Sequence, residues 1–248
     1  MYKGVLPQKS CAHAWVAACN SVISSGDEGY NVVIDVDDPI THSQKDNETI
    51  TLVDKFLKLY DKYPIISVAN TIFPHSMLDA HGPTEFYKIY HRDFDLLTET
   101  KRWGRYFERM TRHRKLDGTE YNPLQDMIEK MKPNDAGQYK AAYELAVYDP
   151  LLDGRVFRGG QCLSFLSFKI HPEQGLLLTA MYRNHTYITR LLGNLIGLGR
   201  LQAFVAKQVG LKLGSLTVIS THAELDTAEW GIKDARDLVC QAAGILNS

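Results

Sequence analysis

The cysteine at position 162 has the sequence setting that most favours covalent chemistry. It ends the segment Arg158-Gly-Gly-Gln-Cys162 and begins a predicted strand. Glycines let another molecule approach the backbone closely, and a thiolate is a strong nucleophile. Arg155, Arg158 and, across a predicted hairpin, Arg183 could lower the pKa of this thiol or bind an anion beside it. A buried structural cysteine fits the same pattern, so both interpretations stay open.

Other catalytic patterns are missing from the sequence. There is no P-loop, GxSxG elbow or HExxH helix. None of the nine histidines has metal-ligand spacing, so no metal site is predicted. We interpret Gly193, Gly197 and Gly199 as turn or close-packing glycines, because the last two lack the third glycine of a dinucleotide fingerprint.

Hydrophobic periodicity predicts the elements that would position these residues. The predicted helices are Cys11–Ser24, Thr51–Tyr60, Leu124–Met131, Leu201–Val209 and Trp230–Leu246. The predicted strands are Asn31–Val36, Ile65–Ala69, Tyr143–Tyr148, Gln161–His171, Leu176–Tyr182 and Gly214–Thr221. A Pro-Glu-Gln-Gly turn joins the fourth and fifth strands into an antiparallel hairpin. Without repeats or linkers, the pattern predicts one α+β domain over residues 1–248.

Composition limits the classes of partner. The 28 basic and 29 acidic side chains leave a formal charge of −1, which provides no long-range attraction to nucleic acid or to an acidic membrane. No apolar run approaches the length of a membrane helix, and the first ten residues lack a signal-peptide stretch. The four cysteines form no CxxC pair. We therefore expect a cytoplasmic protein with free thiols.

A longer pattern extends from Tyr143 to Asp226. Its first part is Gln161-Cys162-Leu-Ser-Phe, a turn, and Met181-Tyr-Arg183-Asn184; its second part is Gly193-Asn194, a helix, and Val209-Gly-Leu-Lys-Leu-Gly214. In order and spacing this stretch resembles the thymidylate synthase family, which includes the pyrimidine nucleotide hydroxymethylases. The register from Arg183 to Gly214 needs no gap.

The resemblance implies a fold and a reaction. The fold would be a mixed or antiparallel sheet covered by helices, with one sheet face used to form a homodimer. The reaction would transfer a one-carbon unit from 5,10-methylenetetrahydrofolate to C5 of a pyrimidine nucleoside monophosphate. By resemblance, Cys162 would add to C6 of the ring, Arg183 would hold the phosphate and Asn194 would read the base edge. In the cytosine-specific members an acidic residue replaces this asparagine, so Asn194 favours uracil.

Further candidate nucleotide-binding residues come from the same register. Glu224 and Asp226 stand where the family has a sugar-binding histidine and tyrosine, and Asn184 follows the phosphate arginine. Lys140 keeps one positive charge in the segment that the partner subunit contributes, and Arg158 precedes the nucleophile. A two-residue slip would instead place His222 at the sugar position. The stretch after Asp226 is shorter than in the family, which favours hydroxymethylation over methylation or, equally, a reaction that does not use folate.

Other interpretations remain open at this stage. Arg183 could form a strand-end salt bridge, and Asn194 could cap a helix. The altered sugar and phosphate positions also suit a non-catalytic homologue that binds a nucleotide in a regulatory or structural role. A cysteine-dependent transferase of unrelated chemistry is a third reading.

Overall fold

The structure is a computed structural model that describes residues 2–97, 105–133, 136–154 and 160–248. Its helices are α1 Cys11–Ile23, α2 Gln44–Leu59, α3 Ile65–Ile72, α4 His75–Leu97, α5 Tyr106–Thr111, α6 Pro123–Met131, α7 Pro150–Asp153, α8 Leu192–Gln208 and α9 Gly231–Asn247. Its strands are β1 Lys3–Gly4, β2 Glu28–Val36, β3 His113–Arg114, β4 Glu120–Tyr121, β5 Glu144–Ala146, β6 Leu163–His171, β7 Gly175–Tyr182, β8 His185–Thr186 and β9 Leu213–Glu224. None of the helices in these ranges has the length and apolar character needed to cross a membrane.

A mixed sheet organises the fold. Its strand order is β1-β2-β9-β7-β6-β5, and β8 pairs with β9. Strands β2 and β9 are antiparallel, as are β6 and β7, whereas β7 and β9 are parallel. The predicted hairpin is confirmed: His171 pairs with Gly175 across the turn. The mixed α and β character predicted from the sequence is confirmed as well.

The two faces of the sheet differ in burial. Along β9, Leu216 and Val218 are fully buried, whereas the alternate residues Thr217 and Ile219 are half-buried. This alternation is typical of a sheet with one face packed against helices. Helices α8 and α1 contact the covered face through β7, β9 and β2.

One predicted strand is wrong. Residues 65–69 belong to helix α3, which begins after Pro64 and buries Ile65, Val68, Ala69 and Ile72. These positions repeat at intervals of three and four residues, which places them on one helical face. Five apolar residues suit a buried strand and a short buried helix equally well, and the packing against α8 decides between them.

Helix α8 is fixed firmly between the sheet and α3. The Gln202 Nε2 donates to the carbonyl oxygens of Leu176 at 2.8 Å and Gly214 at 3.0 Å. A Cβ on Gly197 would lie 2.7 Å from the carbonyl oxygen of Ala69. The prediction that the glycines of this segment allow close packing is therefore confirmed, and α8 is a rigid support for the side chains on its first turn.

Candidate functional site

A cavity of about 290 Å³ opens beside Cys162. We call it the Cys162 pocket, and its lining residues are Val68, Thr71, Arg105, Tyr106, Gln161, Cys162, Asn184, His185, Thr186, Arg190 and Asn194. Small-molecule sites typically occupy about 300–1,000 Å³. Three residues predicted from the sequence, namely Cys162, Asn184 and Asn194, therefore meet in a space suited to a small ligand.

Cys162 lies immediately before β6, where the hairpin opens. Its carbonyl oxygen accepts a hydrogen bond of 2.9 Å from the backbone N–H of Arg183. The thiol is half-buried, and burial raises its pKa above the ordinary value. The positive charges of Arg183 and Arg190 oppose that rise, whereas the carboxylate of Glu224 adds to it. Cys162 is therefore a neutral thiol in the unliganded protein, and a bound ligand has to lower its pKa before the thiolate forms.

The Arg183 side chain packs on an aromatic ring, and its positive charge still acts on the Cys162 thiol. Its guanidinium carbon lies 5.3 Å from the centre of the Tyr148 ring. An Nη atom also passes so close to Gly160 that a Cβ there would lie 2.5 Å from it. Arg183 is not among the lining residues of the Cys162 pocket. The prediction that Arg183 lies beside Cys162 across the hairpin is confirmed for the backbone. The guanidinium lies over the Tyr148 ring.

A buried polar network orients Asn194. Its Nδ2 lies 3.0 Å from Nε2 of His185, whose Nδ1 lies 3.0 Å from the Ser220 Oγ. Because an amide nitrogen only donates, Nε2 is the acceptor and Nδ1 carries the proton that goes to Ser220. Helix α8 has its N-cap at Leu191, so Asn194 lies inside the helix and does not cap it. Within the described part of the chain, the other amide N–H and the amide oxygen of Asn194 have no side-chain partner and remain for a ligand.

His185 is held in this network as a neutral ring. It is stacked on Tyr182 with 4.0 Å between the ring centres, and Tyr187 meets it edge-on at 5.6 Å. Burial lowers the pKa of His185 to about 3. The ring therefore stays uncharged at neutral pH and accepts from Asn194 without switching its tautomer.

Asn184 is fixed between two residues of β9. Its Nδ2 donates to Glu224 Oε1 at 3.2 Å, and its Oδ1 accepts a short hydrogen bond from Nδ1 of His222. The two residues weighed for the sugar position, Glu224 and His222, therefore both contact Asn184. This arrangement places a carboxylate acceptor at the edge of the Cys162 pocket.

Asp226 lines a second, adjoining cavity of about 690 Å³ that shares Thr186 and Arg190 with the Cys162 pocket. The Asp226 carboxylate accepts from the backbone N–H of Ile188 at 2.7 Å and from the Thr189 hydroxyl at 2.7 Å. Burial raises the pKa of Asp226 to about 7, although these hydrogen bonds favour the ionised form. Asp226 thus fixes the turn that precedes α8 and does not reach the thiol pocket.

Sequence reasoning missed several pocket residues. Arg190 lines both cavities, with its guanidinium carbon 6.0 Å from the Tyr63 ring centre. Arg105 lines the Cys162 pocket as well. Burial raises the pKa of Tyr106 to about 12, and its hydroxyl contacts the backbone of Cys162. The sequence did contain a signal for Arg190, because it is a charged residue within the mostly apolar segment 187–192.

Lys140 lies away from the Cys162 pocket. Lys140 donates to the carbonyl oxygen of Ile170 at 3.3 Å, near the opposite end of β6 from Cys162. Arg158 and its neighbour Arg155 lie outside the described residues. Within the described ranges, no cluster of histidine, cysteine, aspartate and glutamate could hold a metal ion.

Three curated archaeal proteins, each named "Putative thymidylate synthase", are similar to part of this chain. The protein of Methanosarcina barkeri is 30% identical over 118 residues, which cover 48% of this chain and 50% of that one. Those of Methanosarcina mazei (29%; 45% of this chain, 49% of that one) and Methanococcoides burtonii (30%; 47% and 49%) match to a similar extent. The chain is distantly related to these proteins. It spans about half the length of the curated relatives it matches, and no family model matches it.

Proposed function

We propose that this chain transfers a one-carbon unit to C5 of a pyrimidine nucleotide, with uracil as the base, through a covalent bond between Cys162 and C6. The observation that carries the proposal is the convergence of Cys162, Asn184 and Asn194 in one pocket. The similarity to proteins named as thymidylate synthases supports the same chemistry.

Asn194 would recognise the base edge. One of its N–H bonds is committed to His185, which leaves a second N–H to donate to O4 of uracil and an oxygen to accept from N3–H. His185 remains neutral and keeps the amide in this orientation. A cytosine ring presents a donor and an acceptor in the opposite order, so the same amide would face two mismatched pairs.

The phosphate would be held by arginines around the Cys162 pocket. Arg190 and Arg105 line it, and a guanidinium forms paired hydrogen bonds with phosphate oxygens. Arg183 would join them if a phosphate drew its guanidinium from the Tyr148 ring. Each added positive charge near Sγ favours the thiolate, whereas the Glu224 carboxylate opposes it.

In the proposed reaction, the Cys162 thiolate gives an electron pair to form the S–C6 bond, and the C5=C6 pair moves towards C5 and O4. C5 then bonds to the one-carbon unit and loses its proton. The S–C6 bond breaks when C5=C6 re-forms, and its electron pair returns to sulfur. The bond between the one-carbon unit and the folate nitrogen would break with its electron pair going to that nitrogen. A hydride from the tetrahydrofolate would then complete a methyl group at C5, whereas water would complete a hydroxymethyl group and lose a proton.

The residues beside the pocket are compatible with a folate. The adjoining cavity of about 690 Å³ has room for a fused ring and is bordered by Tyr63 and Trp230. Glu224 and Asp226 also border it, and their oxygens can accept from the amino and N–H donors of a pterin. When bound, 5,10-methylenetetrahydrofolate supplies the one-carbon unit. Arg190 borders both cavities and would position the two ligands relative to each other.

We also propose that the open sheet face forms a homodimer. Four apolar side chains lie in one row across the sheet, because Val33 pairs with Ile219, Ile219 with Met181 and Met181 with Phe165. Met181 is 37% exposed. A second copy related by a two-fold axis would bury this row.

In such a dimer, Lys140 would act in the partner's pocket. Replacing Met181 with Lys should shift the protein towards monomer in sedimentation experiments.

The decisive test is release of tritium from C5-labelled dUMP, UMP, dCMP and CMP, with and without methylenetetrahydrofolate. The substitution Cys162→Ser should abolish release and leave nucleotide binding largely intact. The matched control is Cys240→Ser, which removes an exposed thiol and should not change release. Release that persists in Cys162→Ser would refute the covalent mechanism.

A non-catalytic nucleotide-binding protein is the second candidate. The observations that favour it are the raised pKa of the Cys162 thiol and the contact of Arg183 with Tyr148. This candidate predicts saturable nucleotide binding, measured by calorimetry, with no release of tritium from any of the four nucleotides. Release that depends on Cys162 would exclude it.

A further inference from the structure

Another cavity lies between α8, α4 and the segment that follows β2. Its volume is about 450 Å³, and it shares no lining residue with the Cys162 pocket. Its apolar lining includes Ile40, Leu78, Ile196 and Phe204. Ile196 and Phe204 are 4% and 5% exposed. In size and apolar character it resembles the cavities that bind small organic molecules.

Two positive side chains border this apolar space. Arg200 is half-buried and Lys207 is exposed, and both line the cavity from α8. Neither is in an ion pair within the described part of the chain, and Asp79 is near enough for its charge to act on Arg200. The hydrogen bond from Arg200 Nη1 to Asn70 Oδ1 is long, at 3.5 Å. Burial lowers the pKa of Arg200. Partial burial of a guanidinium without a strong acceptor costs free energy, and a bound anion would reduce that cost.

Two polar side chains of the lining complete this environment. The Nδ1 of His42 is buried and has no hydrogen-bond partner among the residues that the structure describes. Burial lowers the pKa of His42, so the ring is neutral at pH 7 and can donate from one nitrogen. Asp79 is the one carboxylate in the described lining. Its Oδ2 lies 3.5 Å from His75 Nε2, and its side chain is 65% exposed.

A break in α4 shapes one wall of the cavity. Gly82 has a positive φ of 72° within the range of α4, and Pro83 follows it. Proline has no backbone N–H and displaces the preceding turn, so the two parts of the helix separate there. Leu78, Asp79 and Pro83 line the cavity at this break. The course of the backbone therefore forms this cavity, and no side chain has to move to open it.

We propose that this cavity binds a small organic anion with an apolar ring or chain, whose charged group pairs with Arg200 and Lys207. The apolar body would lie against Phe204, Ile196 and Leu78. This ligand differs from the nucleotide and binds at a separate site. Arg200 follows Asn194 by six residues on α8, a rise of roughly 9 Å.

The test uses 8-anilino-1-naphthalenesulfonate as the probe and N-phenyl-1-naphthylamine as its neutral counterpart of similar apolar shape. Fluorescence titration should show saturable 1:1 binding of the sulfonate, about tenfold tighter than the neutral compound. Arg200→Met should reduce sulfonate affinity to that of the neutral compound. Lys58→Gln, an exposed charge change on α2, is the matched control and should leave both affinities unchanged.

Two more variants keep the proposal testable if Arg200→Met does not fold. Ala203→Trp should block both probes, because position 203 lines the cavity. Asp79→Asn should strengthen binding of the sulfonate alone, since it removes the negative charge of the lining. Equal affinity for the two probes, or sulfonate binding that all these variants leave unchanged, would overturn the proposal. Because Cys162→Ser should retain probe binding, this result is independent of the proposed enzyme activity.

Discussion

The buried ring of His185 should control how stability depends on pH. Burial lowers the pKa of His185 from 6.5 to about 3, so below pH 6.5 the unfolded chain takes up a proton that the folded chain refuses. Stability is therefore retained above pH 6.5 and lost as pH falls towards 3. With about 1.36 kcal/mol per pH unit, this group alone should remove roughly 2.5 kcal/mol of unfolding free energy between pH 7 and pH 4.5.

The substitution His185→Gln isolates this contribution. A glutamine amide can donate to Ser220 and accept from Asn194, as the histidine does, and it does not titrate. The variant will be less stable than the wild type at pH 7, because it loses the stacking on Tyr182. The free-energy difference should shrink by roughly 2.5 kcal/mol at pH 4.5, while contributions from groups common to both proteins cancel.

Urea unfolding followed by circular dichroism at the two pH values measures this difference. His81→Gln, at an exposed position, is the control and should follow the wild type. In parallel, the Cε1–H resonance of His185 should not titrate between pH 8 and pH 4. A resonance that titrates above pH 5, or a difference between wild type and His185→Gln that does not change with pH, would refute the reasoning.

Asp153→Asn should lower the unfolding free energy by about 3–5 kcal/mol, because it removes the carboxylate that pairs with the buried Arg109. Asp95→Asn, at a more exposed ion pair, should cost at most about 1 kcal/mol. Similar urea midpoints for the two variants would contradict this. Gly197→Ala should cost about 1–3 kcal/mol because its Cβ meets a backbone oxygen of α3. Gly244→Ala, with open space around it, should stabilise α9 by up to about 1 kcal/mol; thermal melts that rank them oppositely would count against the packing argument. Asn194→Asp should raise the pKa of the neighbouring buried histidine above about 3, and an unchanged NMR titration would exclude that contact.

Much of the sheet and its loops could be predicted from local pattern. The turn after β6 and the alternation along β6 and β7 place Cys162 beside Arg183, and the structure confirms their backbone contact. Regular spacing also located most helices. Residues 65–69 could not be assigned correctly, because a short apolar run carries no periodicity that separates a strand from a helix.

Local sequence pattern did not predict where the charged side chains point. Arg183 and Arg190 are both arginines near the same thiol, yet only Arg190 lines the pocket. Arg183 lies over Tyr148, a ring brought to it by the pairing of β5 with β6. Such choices depend on neighbours distant in the chain, which set the desolvation cost and the available partners.

Residue types and spacing were sufficient to identify the thiol, the amide and the hairpin that supports the thiol, because β alternation and turn chemistry act over a few residues. They were insufficient to find His185 as the support of Asn194, or Arg200 and Lys207 beside an apolar cavity. Burial there comes from α3, α4 and α8 packing together. A buried environment that changes a pKa exists only once those distant segments exclude water.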